Sequence, residues 1–422
     1  MLTTNFIDRK LADKIAREFG TPCYVYDETS LRMAADQVLA FPNAYGLTAR
    51  FAMKACPNAN ILRLFKKKGL KIDASSIYEA ERALMAGYEA SDISLSTQEF
   101  PDGDSLAALV EKGMSVNACS LHQLEKYGKR FPNTQVGLRF NPGLGSGGTN
   151  RTNVGGPASS FGIWHESKSD AKTLTEKYGL NVFRIHTHIG SGSDPEVWIR
   201  AVSLSLDMVR YFEDATHLNL GGGYKVGRIA GEKTTDLQMI GNPMKHAFEA
   251  FAEATGRKIH LEVEPGTYLV ANSCVLLSSV QDLASTGEGG YDFIKLDSGM
   301  TENTRPSMYG SQHEIQLLSP TGEKRAEKSY IVVGHCCESG DILTPAPADP
   351  EALHPRILPE ARIGDLVVIG GVGAYCSSMA TKNYNSFPEC PEALIRLDGS
   401  VDLMRKRQSL REIVANETEI AF

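Results

Sequence analysis

Several residue types that carry chemistry lie at or directly after the ends of short apolar runs in the first two thirds of this 422-residue sequence. In chain order they are Lys54, Asp73, Ser96, Arg139, His188, the glycines 221–223 and Glu264. A lysine in such a place is usually a solvated surface residue. An amine that is partly desolvated, however, has a lowered pKa and becomes a nucleophile towards aldehydes. Lys54, in FAMKACPN, is therefore a candidate Schiff-base lysine.

Glycine-rich turns follow the last two of these runs. They contain Gly221, Gly222 and Gly223 in LNLGGGY, and Glu264, Pro265 and Gly266 in the segment EPG. Backbone N–H groups of glycine turns can approach an anion closely, so the pair of turns predicts a phosphate site. Ser191 of HIGSG adds a hydroxyl group. A tight turn without a ligand is the alternative for either motif alone.

An aldehyde-capturing amine, a carboxylate and a phosphate site together match pyridoxal 5′-phosphate. Glu264 would keep the pyridine nitrogen protonated, which makes the ring a stronger electron acceptor. The structural alternative for Glu264 is an ion pair that closes a barrel. Its position directly before Pro-Gly at the end of an apolar run argues against that alternative.

His186 and His188 are two residues apart, and a strand would place both side chains on one face. This spacing suits a metal site, so a metal-dependent barrel hydrolase is a competing hypothesis. Such a site needs further ligands at other strand ends, whereas the remaining histidines fall mostly in helices, in loops or at strand starts. We therefore expect no metal.

Eight apolar runs alternate with helical patterns between residue 30 and about residue 270. They are Ala49–Met53, Lys71–Ala74, Ile93–Leu95, Ser115–Ala118, Val136–Phe140, Phe183–Thr187, Leu218–Leu220 and His260–Val263. Strands that alternate with helices form parallel βα units. Eight such units over roughly 240 residues predict an α/β fold with a closed (β/α)₈ barrel, here at residues 30–275, whose strand ends meet at one mouth.

After residue 275 the pattern changes to runs such as SCVLLSSV, SYIVVGHCC and GDLVVIGGVGAY. These runs predict a second, mainly β domain at residues 276–422, completed by residues 1–29. The stretch 141–160 is too rich in glycine for regular structure, and a loop of that length is usually a lid or a disordered insertion.

Composition excludes several classes of partner. The net charge is −7 and the basic residues are scattered, so nucleic acid is not expected. No stretch approaches the roughly 18 apolar residues of a membrane span, and the amphipathic start lacks a signal-peptide core, which favours a cytoplasmic protein. The eight cysteines form no CxxC pair, so most should be reduced and buried.

A family resemblance extends over nearly the whole chain. FAMKACPN, DASSIYEAERAL, HTHIGSG, LNLGGGY, EPG, RPSMYGS, CESGD and GAYCSSMATKNYNSFP resemble, in the same order, the motifs of the alanine racemase-like, fold-type III pyridoxal-phosphate decarboxylases. The similarity runs from about Pro22 to Arg407 and is strongest to members that convert meso-2,6-diaminopimelate to L-lysine, the last step of lysine biosynthesis. Decarboxylation of ornithine, arginine or carboxynorspermidine is the alternative.

The resemblance also implies roles for individual residues. Lys54 would carry the cofactor, with Asp73 beside it, His188 against the ring face and Glu264 on the ring nitrogen. The phosphate group would contact Ser191, Gly221, Gly222, Gly223, the backbone of Glu264, Pro265 and Gly266, and Tyr375. Cys337 of CESGD would donate a proton from the β domain of the partner subunit, so that a homodimer forms two composite sites.

Arg305 and Tyr309 are the candidate contacts of the substrate carboxylate. They are four residues apart, and Pro306 at a first helical position would put both on one face. The resemblance implies that Glu338 meets the distal ammonium group and that Tyr375 also contacts substrate. Thr267 stands where the family usually has a substrate-contacting arginine. Another group such as Arg151 could supply the charge, or the substrate is held differently.

Two further alternatives share the fold. A racemase would use a tyrosine at the position given to Cys337. A regulator without activity would have lost Lys54 or Cys337, and both are present.

Overall fold

The computed structural model describes residues 4–145, 155–190, 192, 194–319 and 321–422. The chain divides into two compact units. The barrel unit comprises Arg32–Val226 and Lys233–Leu269, and the β unit comprises Met1–Leu31, Gly227–Glu232 and Val270–Phe422. The segment Gly227–Glu232 thus lies within the barrel in sequence but belongs to the β unit.

Strands and helices alternate from the N terminus to residue 270. In chain order they are α1 (Arg9–Phe19), β1 (Cys23–Asp27), α2 (Glu28–Leu39), β2 (Leu47–Ala52), α3 (Ala59–Lys68), β3 (Lys71–Ala74), α4 (Ile77–Met85), β4 (Ile93–Leu95), α5 (Asp104–Glu111), β5 (Ser115–Ala118), α6 (Leu121–Arg130), β6 (Gln135–Asn141), β7 (Ile163–Trp164), α7 (Lys168–Lys177), β8 (Asn181–Thr187), α8 (Pro195–Tyr211), β9 (His217–Asn219), α9 (Leu237–Thr255), β10 (His260–Val263) and α10 (Thr267–Val270).

Eight of these strands close into a parallel barrel. The order around it is β5, β4, β3, β2, β10, β9, β8, β6, and β6 pairs with β5 to complete the circle. The two-residue strand β7 adds to β6. Each of the eight predicted apolar runs forms one barrel strand, so the predicted (β/α)₈ barrel is confirmed.

Capping side chains start several of the barrel helices. They are Asn58 for α3, Ser76 for α4, Ser120 for α6, Asp194 for α8 and Asp236 for α9. Each accepts a hydrogen bond from a backbone N–H of the first turn, which has no partner within the helix. Helix α3 then buries Ile61, Leu62, Leu64 and Phe65. Phe65 meets Phe51 of β2 edge to face at 4.8 Å between ring centroids.

The barrel interior holds a buried ion cluster. Glu262 Oε1 of β10 accepts hydrogen bonds from Arg184 Nη2 of β8 at 3.1 Å and from Arg50 Nη2 of β2 at 3.0 Å. The same ion pair brings Arg184 Nε to 2.6 Å from Glu262 Oε2. Arg184 Nη1 also donates to Ser94 Oγ at 2.9 Å. These side chains are at most 6% exposed. The two guanidinium charges outweigh burial and lower the pKa of Glu262 to about 2.

The β unit follows the barrel in sequence and contains a mixed sheet. Its later elements are β11 (Cys274–Ser285), β12 (Asp292–Leu296), α11 (Arg305–Tyr309), β13 (Ile315–Leu318), β14 (Glu327–Val333), β15 (Pro345–Ala346), β16 (Asp349–Leu353), β17 (Arg356–Pro359), β18 (Leu366–Gly370), β19 (Glu392–Ile395), β20 (Val401–Arg405) and α12 (Leu410–Ile413). The main sheet order is β17, β14, β12, β11, β1, β19, β20, and β18 joins β11 to β13.

The core of the β unit lies between this sheet and α1. Val25 of β1, Val275 and Leu277 of β11, and Val368 of β18 are fully buried and pack with Ile15 of α1. An α/β barrel and a separate, mainly β unit are thus both present, as predicted.

All eight cysteines are free thiols, as expected, and seven of them are buried. The eighth, Cys337, is exposed. Among the described residues, no helix is both long enough and apolar enough to cross a bilayer.

Candidate functional site

Lys54 lies at the mouth of the barrel, in a short turn directly after β2. Its neighbours Met53 and Ala55 are buried, whereas the Lys54 side chain is exposed. The turn therefore anchors its backbone and directs a primary amine out of the packed interior.

Asp73 of β3 is buried beside this amine. It is 3% exposed, and its Oδ1 has no hydrogen-bond partner among the described residues. Burial and the negative charge of Glu264 raise the pKa of Asp73 to about 8, although the charge of Lys54 opposes the rise. In the protein alone the carboxyl group is therefore mostly protonated at neutral pH and can donate a hydrogen bond.

Glu264 follows β10 and carries a buried negative charge. Its Oε2 is 3.1 Å from His186 Nε2, and its Oε1 accepts a hydrogen bond from Asn219 Nδ2 at 2.5 Å. Burial raises the pKa of Glu264, but His186, His188 and Asn219 outweigh burial and hold it well below its usual value. The result is an anion fixed by donors on the two preceding barrel strands.

His186 faces the barrel interior from β8, and each of its ring nitrogens lies near a polar atom. Nε2 meets Glu264, and Nδ1 lies 3.5 Å from Ser96 Oγ. Burial lowers the pKa of His186, so the ring is neutral, and its Nε2 lies close to the buried carboxylate. The described residues contain no group of three or more His, Cys, Asp or Glu side chains arranged to hold a metal ion. His186 thus has a carboxylate neighbour, Glu264.

His188 and the triple glycine lie together. Gly221 has φ +68°, and a Cβ there would be 2.7 Å from His188 Nδ1, so only glycine fits against this ring. That Nδ1 has no hydrogen-bond partner among the described residues. Burial, followed by the charges of Arg139 and Lys54, lowers the pKa of His188 well below its usual value. The ring is therefore a neutral, flat surface at the mouth.

Backbone hydrogen bonds join the turns that follow three neighbouring strands. Glu264 N donates to Gly221 O at 2.8 Å, and Ala52 N donates to Pro265 O at 3.1 Å. A Cβ on Gly222 would lie 2.1 Å from Glu264 O, so the two turns are in direct contact. Lys54, the triple glycine and the EPG turn, which includes Gly266, therefore form one connected rim.

Sequence reasoning missed two residues of this mouth. Asn219 Oδ1 accepts from Gly221 N at 2.8 Å, so one side chain fixes both the glycine turn and Glu264. Glu79 Oε2 accepts a hydrogen bond from Ser75 N at 2.7 Å. Burial raises the pKa of Glu79, and the charge of Lys54 opposes this rise. The sequence features that could have identified these two residues were weak. Asn219 is two residues before the glycines, and Glu79 is at the third position of a capped helix.

Two sequence predictions lie outside the described residues. One is Ser191 as a phosphate contact, and the other is the middle of the glycine-rich loop, including Arg151. At the near ends of that loop, Asn141 Nδ2 donates to Gly156 O and Asn141 Oδ1 accepts from Gly156 N, both at 2.9 Å.

Cys337 lies in an exposed loop of the β unit. Its backbone N donates to Asn385 Oδ1 at 2.7 Å. The neighbouring Glu338 accepts from Gly340 N at 3.1 Å and from Tyr384 OH at 3.4 Å. Asp341 accepts from Cys336 N at 2.9 Å at the base of the loop. The loop thus presents a thiol and a carboxylate side by side on a fixed backbone.

The predicted pair of Arg305 and Tyr309 shares one face of α11. The guanidinium carbon of Arg305 is 5.4 Å from the Tyr309 ring centroid, as the spacing of four residues predicts. Tyr375, also in the β unit, has a left-handed backbone with φ +57°. Thr267 is the first residue of α10 in the barrel unit.

Comparison with known proteins matches this chain to one family. Residues 32–271 match the model of the pyridoxal-dependent decarboxylases, pyridoxal binding domain. The chain is 35% identical over 411 residues to a diaminopimelate decarboxylase of Streptomyces coelicolor, covering 96% of this chain and 91% of that protein.

Solved structures give the same result. A crystal structure of a diaminopimelate decarboxylase is 35% identical, with a TM-score of 0.89 over 97% of this chain and 96% of that chain. A second, from Helicobacter pylori and complexed with L-lysine, is 25% identical, with a TM-score of 0.83 over 96% of this chain and 98% of that chain.

Proposed function

The chain belongs to the pyridoxal-dependent decarboxylases, and we propose that it removes CO₂ from meso-2,6-diaminopimelate to give L-lysine, the last step of lysine biosynthesis. The observation that carries this proposal is the barrel mouth itself. There, a buried anionic carboxylate, held by His186 and Asn219, lies at the same rim as the exposed amine of Lys54. The relatives that act on diaminopimelate, and the L-lysine complex of one of them, support the choice of substrate.

The residues of the mouth fit pyridoxal 5′-phosphate. Lys54 offers the amine for its aldehyde, and Glu264 offers an anion for its ring nitrogen. The unpartnered buried atoms Asp73 Oδ1 and His188 Nδ1 suit a polar aromatic ligand. Gly221, Gly222 and Gly223, with the EPG turn and Tyr375, are proposed to hold the phosphate group.

Bound pyridoxal phosphate supplies an acceptor for the electron pair that the breaking bond to the carboxylate releases. Glu264 strengthens this acceptor because its negative charge holds a proton on the ring nitrogen. His186 lies 3.1 Å from Glu264, and Asn219 donates a hydrogen bond to it; together they help to keep Glu264 ionised. His188 is proposed to pack against the ring and orient it.

Cys337 is proposed to deliver the proton that replaces CO₂ on the substrate carbon. A thiol is suited to this step because it is a stronger acid than a hydroxyl group. Among the eight cysteines it is the exposed one, and its loop is fixed by Asn385 and Asp341. We propose that the Cys337 loop of one subunit completes the barrel site of its partner, so that the active form is a homodimer.

Substrate recognition is assigned to charged groups of the β unit. Arg305 can bind a carboxylate through two hydrogen bonds, Tyr309 and Tyr375 add hydroxyl groups, and Glu338 suits an ammonium group. Thr267, at the start of α10, is a polar contact without charge. We further propose that the protein acts in the cytoplasm on this small diamino acid, without nucleic acid or membrane partners.

The test is incubation of the purified protein and pyridoxal phosphate with meso-diaminopimelate, ornithine and arginine, following release of CO₂. We expect CO₂ and L-lysine from the first substrate alone. Lys54→Ala should lose both the visible absorbance of bound cofactor and turnover. Lys71→Ala is the matched control, because Lys71 pairs with Asp92 at the opposite end of a barrel strand. CO₂ from ornithine or arginine alone would contradict the proposed substrate.

A further inference from the structure

The β unit contains a buried guanidinium group that the proposed function does not use. Arg228, in the segment Gly227–Glu232, is 9% exposed. Its Nε donates to Gly371 O at 3.0 Å. Its Nη2 is buried and has no hydrogen-bond partner among the described residues. A buried cation with an unused donor is costly unless it meets an anion in the working protein.

Arg228 is held in place from several sides. Gly371 has φ +70°, and a Cβ there would lie 2.8 Å from Arg228 Cγ, so the side chain packs where only glycine leaves room. The Arg228 backbone N donates to Glu232 Oε2 at 2.8 Å, and Asn272 Nδ2 donates to Gly227 O at 2.9 Å. The guanidinium group is therefore preorganised, which lowers the entropy cost of binding a ligand.

Two more side chains of the β unit carry buried, unpartnered donors. Arg305 Nε and Asn303 Nδ2 are buried and have no hydrogen-bond partner among the described residues. The thiol of Cys376 lies beside Asn303, because its Sγ donates to Asn303 Oδ1 at 3.4 Å. Burial raises the pKa of Cys376 to about 11, and the charges of Arg305 and Arg228 both oppose that rise. The charges of both guanidinium groups therefore act on this thiol.

The charges of Arg228 and Arg305 act on each other. Burial, and after it the charge of Arg305, lowers the pKa of Arg228 to about 10, so both arginines remain charged at neutral pH. His313 Nδ1 lies 2.9 Å from Gly370 O and donates to it. Burial and the charge of Arg228 lower the pKa of His313 to about 3, so this ring is neutral. The carboxylate whose charge opposes the lowering of the Arg228 pKa, that of Glu232, accepts a hydrogen bond from the Arg228 backbone N.

We propose that Arg228 joins Arg305 in a carboxylate-binding site of the β unit, and that this site holds the carboxylate group that the substrate retains after CO₂ has left. The inference rests on the proposed function, which supplies a substrate with two carboxylates. Two guanidinium groups and an amide N–H form the charge-assisted, directional donors that carboxylates prefer. Arg228 thereby becomes a determinant of specificity for substrates with a distal carboxylate over amino acids with a single carboxylate.

The experiment measures ligand binding to the cofactor-loaded enzyme by calorimetry. Two ligands are compared: L-lysine, and cadaverine, which lacks the carboxylate. The wild type should bind L-lysine more tightly. Arg228→Gln should weaken L-lysine binding roughly tenfold to a hundredfold and leave cadaverine unchanged, because a charge-assisted hydrogen bond is lost. Arg228→Lys keeps the charge without the planar fork and should give a smaller loss.

Two further variants provide a positional test and a control. Gly371→Ala should also weaken L-lysine binding, because its Cβ displaces the Arg228 side chain. Arg362→Gln should behave as wild type, because Arg362 is exposed and pairs with Glu323 in the same unit. Circular dichroism checks the fold of each variant.

The outcomes separate the two proposals. Unchanged L-lysine affinity in folded Arg228→Gln or Arg228→Lys would overturn the carboxylate site, as would equal binding of L-lysine and cadaverine by the wild type. Failure of the wild type to release CO₂ from diaminopimelate would instead overturn the proposed function, and the binding experiment needs no turnover. In kinetics, Arg228→Gln should raise KM for diaminopimelate much more than it lowers kcat.

Discussion

At the scale of single residues, the proposed proton donor differs from the other cysteines in its exposure. Cys337 lies on a surface loop, whereas the other seven thiols are packed in the interior. Cys337→Ala should keep the absorbance of bound cofactor but slow lysine formation about a hundredfold or more, which is the usual loss when a general acid is removed. Ser339→Ala, in the same exposed loop, is the control and should be active. An unchanged rate for Cys337→Ala would remove this thiol from the mechanism.

Asp73 gives a pH test that needs no catalysis. A carboxyl group whose pKa is raised by folding stabilises the fold below its unfolded pKa, and this contribution is lost as pH rises through the folded pKa. For Asp73 the window runs from the ordinary value of 3.8 to about 8. The free energy of unfolding of the cofactor-free protein should therefore fall as the pH rises across this window. In Asp73→Asn this contribution to the fall should be absent.

The measurement is denaturant unfolding of the cofactor-free protein at a series of pH values. Asp36→Asn, on the outer surface of the barrel unit beside Lys68, is the matched control and should keep the wild-type profile. Identical pH profiles for the wild type and Asp73→Asn would mean that folding does not raise the pKa of Asp73.

At the scale of elements, the turn after β9 joins the cofactor site to the barrel. Gly221→Ala should lower cofactor affinity, because its Cβ would displace His188, and should also cost stability through its φ of +68°. Gly256→Ala is the matched control, since Gly256 has φ +73° but no atom within 4 Å of the added Cβ. Both variants should lose about 1 kcal/mol of stability, and only the first should lose cofactor. Equal cofactor affinity in both would contradict the assigned role of this turn.

The sequence predicted the elements well because alternation and apolar runs report local structure. All eight barrel strands, and the side chains that end them, follow from that pattern together with the rule that parallel strand ends meet at one mouth. Residues whose role depends on a distant partner escaped prediction. Arg228 is the clearest case, because its segment interrupts the barrel sequence without any periodicity and belongs to the other unit. Likewise, the partner of His186 became clear only once β8 and β10 were placed in one barrel.

At the scale of the whole molecule, the proposed homodimer can be tested by complementation. Lys54→Ala and Cys337→Ala should each be nearly inactive alone. After the two variants are mixed and allowed to exchange subunits, some dimers carry one site with both intact residues, and activity should partly return. Sedimentation should show a dimer throughout. A mixture as inactive as its components would contradict a composite site.

The ion cluster inside the barrel has a consequence for how such a protein can change over generations. Replacing Arg50, Arg184 or Glu262 alone strands the remaining charges in the interior, at roughly 3–5 kcal/mol, a large share of the 5–15 kcal/mol that holds a typical fold together. A change at one of the three positions therefore requires compensating changes at the other two. Variants with only one of these changes are destabilised and are selected against. Substitutions in this interior cluster are therefore strongly constrained, whereas the surface loops tolerate change. New specificities are expected to arise in the loops while the barrel interior stays the same.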